Sequence, residues 1–168
     1  MKPSASSTAP GNVPKASRPL MLGYGVATSE EGLLPWTWAQ ERLEQSHNYW
    51  LTTVRPDGRP HVMVIWGVWM DGAFWFSTGG KSRKGRNLVA NRHCIVCTEN
   101  AAQAVIVEGD AERIDDSDRK RPFFAAYEPK YKWDMTAYEK EPVFRVRPRR
   151  AFALDEENFA GSATKWEF

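Results

Sequence analysis

The densest run of chemistry-bearing side chains is Ser77-Thr78-Gly79-Gly80-Lys81-Ser82-Arg83-Lys84-Gly85-Arg86-Asn87-Leu88. Lys81, Arg83, Lys84, Arg86 and then Arg92 follow one another without an intervening acid. If a strand ends near Thr78 and a helix starts near Ser82, this junction suits an anion. Gly79 and Gly80 let the backbone approach a ligand, hydroxyls and helix N-terminal amides donate, and Arg83 and Lys84 bring charge. A phosphate group fits those donors, while a solvated basic helix would carry the same charges. Gly80-Lys81-Ser82 matches the end of a nucleotide-binding P-loop, but the first glycine of that motif would fall at Trp75, so triphosphate chemistry of that kind is unsupported.

A second candidate region follows Pro56-Asp57-Gly58. There His61, Met63 and Ile65 alternate with Val62, Val64 and Trp66, so a strand would put the first three on one face. One face must be core. The other can wall the pocket of a flat aromatic ligand, although apolar residues on both faces also describe a buried central strand. Cys94 and Cys97 have redox spacing but sit in His-Cys-Ile-Val-Cys-Thr, a β-strand text that turns them to opposite faces, whereas redox pairs open a helix. His47, His61 and His93 match no metal-ligand spacing, and no metal site is expected. Arg145, Arg147 and Arg149 alternate along one strand and can track a nucleic-acid backbone; a charged edge strand is the commoner cause. With no catalytic triad or carboxylate pair in evidence, an enzyme here would depend on a cofactor for the difficult step.

The elements that must position these residues are mostly strands. Tyr49 to Arg55 and Arg59 to Met70 flank the Pro-Asp-Gly turn, Asp71-Gly72 turns into Ala73 to Thr78, and three further strands cover His93–Glu99, Ala104–Ile114 and Val143–Leu154. Three helices are expected: Pro35 to Gln45; Ser82 to Asn91, capped by Ser82; and Asp115 to Tyr131, broken by Pro122 and Pro129. Six antiparallel strands with peripheral helices predict a mainly β fold, a closed or nearly closed barrel. Residues 1–19, rich in Ser, Ala and Pro, read as a loosely attached arm, and residues 20–168 as one barrel domain.

Composition agrees with a single folded domain. The chain has 168 residues, 42% hydrophobic and 26% charged, with 8 Trp supplying bulky, strand-favouring core material. Its net charge of +2 is low for a generic nucleic-acid binder, and none is expected as a partner. No apolar run has the length of a membrane span and no secretion signal opens the chain, so a soluble cytoplasmic protein is expected.

Taken in order, Tyr49–Val54, Asp57–His61, Trp66–Trp69, Ser77-Thr78, Ser82–Leu88, Val107–Ala111 and Ala163–Phe168 resemble the pyridoxamine 5'-phosphate oxidase-like split-barrel superfamily. Its flavin/deazaflavin oxidoreductase branch is the nearer match, over about Leu33 to Phe168. The resemblance implies a six-stranded split barrel of the FMN-binding type. It also implies a homodimer with a groove for coenzyme F-420 or FMN, and hydride transfer to a small organic substrate. Carried over by position, Ser82, Arg83, Lys84 and Asn87 would hold the cofactor phosphate, flanked by Ser77 and Thr78. Met63, Val64 and Ile65 would line the ring system, and Lys165, Trp166 and Phe168 would close the groove, from the partner subunit in one version. The ending Thr164–Phe168 departs from the C-terminal segment of true pyridoxamine-phosphate oxidases, which disfavours that activity. The phosphate-loop match favours F-420 over FMN. Because the superfamily also has haem-handling members, a non-catalytic flavin, deazaflavin or haem carrier is the alternative.

Overall fold

The computed structural model describes residues 13–168. It is a mainly β structure of nine antiparallel strands with four helices. Strand β1 (Lys15–Ser17) is followed by α1 (Trp36–Gln45), then β2 (Tyr49–Val54), β3 (Pro60–Ile65), β4 (Val68–Met70) and β5 (Ala73–Ser77). Helix α2 (Arg83–Ala90) leads into β6 (His93–Thr98) and β7 (Gln103–Ile114), and α3 (Ser117–Tyr131) precedes β8 (Val143–Asp155). Short helix α4 (Phe159–Ser162) and β9 (Thr164–Glu167) close the described chain. Among the described residues no helix is long and apolar enough to cross a membrane.

The strands run β1-β9-β8-β7-β6-β2-β3 across the sheet, with β4 on β5 and β5 on the first half of β8. Among the described residues strand β3 bonds only to β2, so the barrel is split between β3 and the β4–β5 hairpin. All six expected strands are present, but the second is two. At Trp66-Gly67 the chain leaves the β2 partner and turns toward β5. Asp71 and Gly72 both take positive φ (51° and 67°), the two-residue hairpin geometry their types favour.

Two further expectations change. Helix α3 runs unbroken through Pro122 and Pro129. Phe123, Tyr127 and Tyr131 recur at four-residue spacing and bury one face, while both prolines lie on the exposed face, where water can satisfy the carbonyls they free. The arm is not loose along its described part. Lys15–Ser17 pairs with Lys165–Glu167, and Arg18 donates to the carbonyls of Ser29, Glu31, Gly161 and Ala163. Residues 1–12 of that expectation lie outside the described residues.

One core fills the barrel, with Tyr49, Leu51, Phe74, Phe76, Val96, Val107, Phe144 and Trp166 among its members. A second lies under α3, where Trp75, Ile114, Phe123, Tyr127, Tyr131 and Met135 meet. The charged strand is central, not an edge. Arg147 pairs with Glu112 at 2.7 Å and Arg149 with Asp110 at 3.4 Å on β7, while Arg145 lies over the Trp75 ring. Cys94 points into the core, where burial pushes its thiol up to about 12, and Cys97 is half-buried on the opposite face.

Candidate functional site

The split exposes β3. Neither of its faces is a proper core face, because an edge strand has a neighbour on one side only: Met63 and Val64 are both about half exposed, and only Ile65, next to the Trp66-Gly67 bend, is buried. The alternative of a buried central strand is therefore excluded, and Ile65 belongs to the barrel core, not to a pocket wall. His61 and Met63 sit opposite Thr53 and Leu51 on β2, on the side facing the barrel opening.

Helix α2 is docked beside that opening by Leu88, which packs into the barrel core, and by a buried hydrogen bond. Asn87 is 1% exposed, and its Nδ2 donates to Thr53 Oγ1 at 2.9 Å. Asn87 thus holds the helix against β2 and presents nothing to a phosphate. Since Thr53 is the register partner of His61, the same bond brings α2 close to His61. Partial burial, followed by the nearby charges of Arg55, Arg83 and Lys84, holds His61 below its usual pKa. Burial likewise lowers Lys84.

These cations are unneutralised. Among the described residues Arg55, Arg83 and Lys84 have no carboxylate within ion-pair distance, unlike Arg92, Arg147, Arg149 and Arg150. Among the described residues the buried Arg55 Nε and His61 Nδ1 find no hydrogen-bond partner. Buried donors are ordinarily satisfied, so a cluster with both an excess of positive charge and unpaired nitrogens suits an anionic ligand.

The loop into α2 is rigidly built. Ser77 Oγ donates to Pro142 O at 3.2 Å, Thr78 Oγ1 lies 3.2 Å from Ser82 Oγ, and Ser82 Oγ accepts from Gly85 N at 3.1 Å as the helix cap. Gly79 and Gly80 have open space where a side chain would stand, with nothing nearer than 3.8 Å. One feature was not legible in the sequence: Glu141 Oε2 accepts from Gly80 N at 3.1 Å, across 61 residues.

Beside this loop lies a cavity of about 280 Å³ walled by Trp66, Tyr127, Trp133, Met135, Tyr138 and Glu141, with Ser77, Thr78 and Gly79 at one end. Trp66 is stacked on Tyr131 (4.7 Å, 10°) and its Nε1 donates to Asn48 Oδ1 at 3.1 Å. Tyr131 Oη in turn accepts from Gly67 N at 2.9 Å and lies 2.8 Å from the Gly67 and His47 carbonyls, one of which it donates to. Lys130 Nζ reinforces the bend by donating to Gly67 O (3.2 Å) and Tyr49 Oη (2.7 Å); burial lowers it to about 8.

The C-terminal residues are not brought to this site. Trp166 is fully buried and packs edge-on to Trp36 at 5.3 Å, so its ring belongs to this chain's own core. Lys165 pairs with Glu167 at 3.2 Å. Phe168, half exposed, meets Trp36 edge-on at 5.0 Å. On the outer face of the sheet, Trp50, Val62 and Val64 form an exposed apolar patch across β2 and β3, near a broad hollow of about 660 Å³ that includes Thr52, Ile95, Arg149, Arg150 and Phe168.

Among solved structures the chain is similar to an F-420 reductase, at 25% identity over 67% of this chain and 94% of that one, with a TM-score of 0.57. A conserved hypothetical protein from Mycobacterium tuberculosis shares the fold at 22% identity and a TM-score of 0.67, over 82% of this chain and 91% of that one. So does the haem storage protein HutZ of Vibrio cholerae, at 19% identity and 0.59, over 70% and 90%. No curated protein matches the chain at a significant level. Residues 38–155 match the pyridoxamine 5'-phosphate oxidase family. With that match across most of its length, and with the open-edged barrel described above, the chain belongs to the pyridoxamine 5'-phosphate oxidase-like split-barrel superfamily.

Proposed function

We propose that this protein is an oxidoreductase that binds F-420, or FMN in the second instance, along the β3 edge and passes a hydride to a small organic acceptor. The observation that carries this reading is the unneutralised trio Arg55, Arg83 and Lys84 around the unpaired His61 Nδ1, at the mouth of a split barrel. Lys84 and Arg83, beside the cap residue Ser82, would hold the cofactor phosphate, with Ser77 and Thr78 flanking it. The open edge of β3 at Met63 and Val64 offers unpaired backbone groups and apolar contact to a ring system. When bound, the cofactor supplies the hydride. The chain fixes its orientation and excludes water, and the aromatic cavity beside Thr78 is the natural place for the acceptor.

Titration with F-420 and with FMN, followed by absorbance and fluorescence, tests the reading. A charge-assisted contact to phosphate contributes about 1.5–3 kcal/mol, so Lys84→Ala should weaken binding roughly tenfold to a hundredfold. Arg92→Ala removes a charge already committed to Asp110 and should change little. Equal losses in the two variants would reduce the segment to a diffuse basic surface. Turnover with a panel of acceptors separates an enzyme from a carrier that binds without reaction.

The same reading includes a homodimer. The patch of Trp50, Val62 and Val64 is apolar and about half exposed, and a groove along β3 stays open to water unless a second subunit covers it. Sedimentation should return twice the chain mass; a monomer at every concentration would remove the second subunit from the site.

A further inference from the structure

We propose that the aromatic cavity selects a positively charged or amine-bearing ring compound, with the Glu141 carboxylate recognising the charge. This rests on the reading of that cavity as the acceptor's place and adds the chemical class of its occupant. Four of the walls are aromatic rings, and the single ionised side chain among the lining residues is an acid. Among the described residues no lysine, arginine or histidine lines the cavity.

Glu141 is fixed rather than incidental. Its Oε2 is anchored on Gly80 N, and among the described residues its other carboxylate oxygen has no hydrogen-bond partner. Behind it the buried Lys120, 3% exposed, donates to the main-chain carbonyls of Glu139 and of Glu141 itself (3.2 Å), which pins this stretch of chain without pairing with the carboxylate. Arg113, which feels the Glu141 charge, is committed to Asp115 at 2.8 Å. The carboxylate is therefore held in place with one oxygen free.

The rings have a matching geometry. Trp133 and Tyr138 are nearly half exposed and stand at the mouth, 6.3 Å apart, and Trp133 meets Trp66 edge-on at 6.1 Å. Aromatic faces carry negative potential, and a cation between such faces and a carboxylate gains from both. An anion would meet repulsion from each. The volume, about 280 Å³, suits a one- or two-ring molecule. The site as a whole is thus polarised: cations near the β3 opening for an anionic cofactor, and an acid with aromatic rings for a cationic partner.

The test uses three probes of similar size: benzyltrimethylammonium, benzyl alcohol and benzenesulfonate, titrated into the full chain by calorimetry and tryptophan fluorescence. The ammonium should bind at least tenfold more tightly than the sulfonate. Glu141→Gln keeps an acceptor for Gly80 N but loses the charge, and should weaken the ammonium about tenfold while leaving benzyl alcohol unchanged. Trp133→Ala, a change at an exposed ring, should weaken the ammonium with no loss of folding. Equal affinities for ammonium and sulfonate, no ammonium binding at millimolar concentration, or an unaffected ammonium affinity in both variants would overturn the inference. FMN and F-420 are titrated in parallel. Cofactor binding without ammonium preference refutes this inference alone, and ammonium preference without cofactor binding refutes the cofactor reading alone.

Discussion

Trp166→Ala should lower the unfolding free energy by about 3–5 kcal/mol, the range for removing a large buried aromatic ring. The ring is fully buried, lies on β9 between β1 and β8, and contacts Trp36, which itself meets Trp69 and Phe168 edge-on. Its loss would leave a cavity in the barrel core that rigid strands on both sides cannot close. Urea unfolding followed by circular dichroism gives the number, and cofactor titration of the folded fraction should show an unchanged affinity. A small stability change together with lost cofactor binding would return the ring to a ligand groove. Trp166→Phe should cost less, since it also removes an indole N–H that has no partner in the core.

Gly67→Ala should be comparably damaging for a different reason. A Cβ there would lie 2.3 Å from Phe74 Cζ and 2.6 Å from Trp75 O, both in the buried β5 strand. Relieving that overlap costs about 1–3 kcal/mol, and displacing the bend from Tyr131 Oη strands buried donors and acceptors for about 1–3 kcal/mol more. Trp66, one residue away, would move with the bend, so ligands of the aromatic cavity should bind more weakly in whatever protein remains folded. Gly80→Ala is the control, because its nearest neighbour is a Pro142 carbon at 3.8 Å, an ordinary contact. Thermal denaturation should separate the two clearly; similar melting temperatures would mean that Phe74 and Trp75 yield easily.

The strands were legible because their turns announce them: Pro-Asp-Gly and Asp-Gly carry their own backbone preferences, and both appear where expected. The helix at Ser82 was legible from its capping residue for the same local reason. What failed was non-local. The break at Trp66-Gly67 is hidden in continuous β-rich text and is set by partners on β5 and α3. Whether His61 and Met63 face core or opening depends on β3 lacking a second neighbour, a fact of topology. Trp166 and Asn87 have residue types that suit a ligand as well as a core, and only packing assigns them to the core. Arg55 and Glu141 reach the site from distant segments, with no spacing rule to join them to Gly80 or Lys84.

The pairing of β1 with β9 also fixes an order of events during synthesis. Strand β1 has one hydrogen-bonded neighbour, and that neighbour begins at Thr164. At ribosomal speed Lys15–Ser17 emerges on the order of ten seconds before Thr164–Glu167 exists, so among the described residues the earliest strand is the last to be paired. Until Thr164–Glu167 arrives, Trp36 lacks the Trp166 ring, Arg18 lacks the Gly161 and Ala163 carbonyls it later clasps, and β8, once made, has an open far edge. A nascent chain stopped short of β9 therefore exposes an extended strand and an unfilled core together, the two features by which quality-control chaperones and proteases recognise unfinished work.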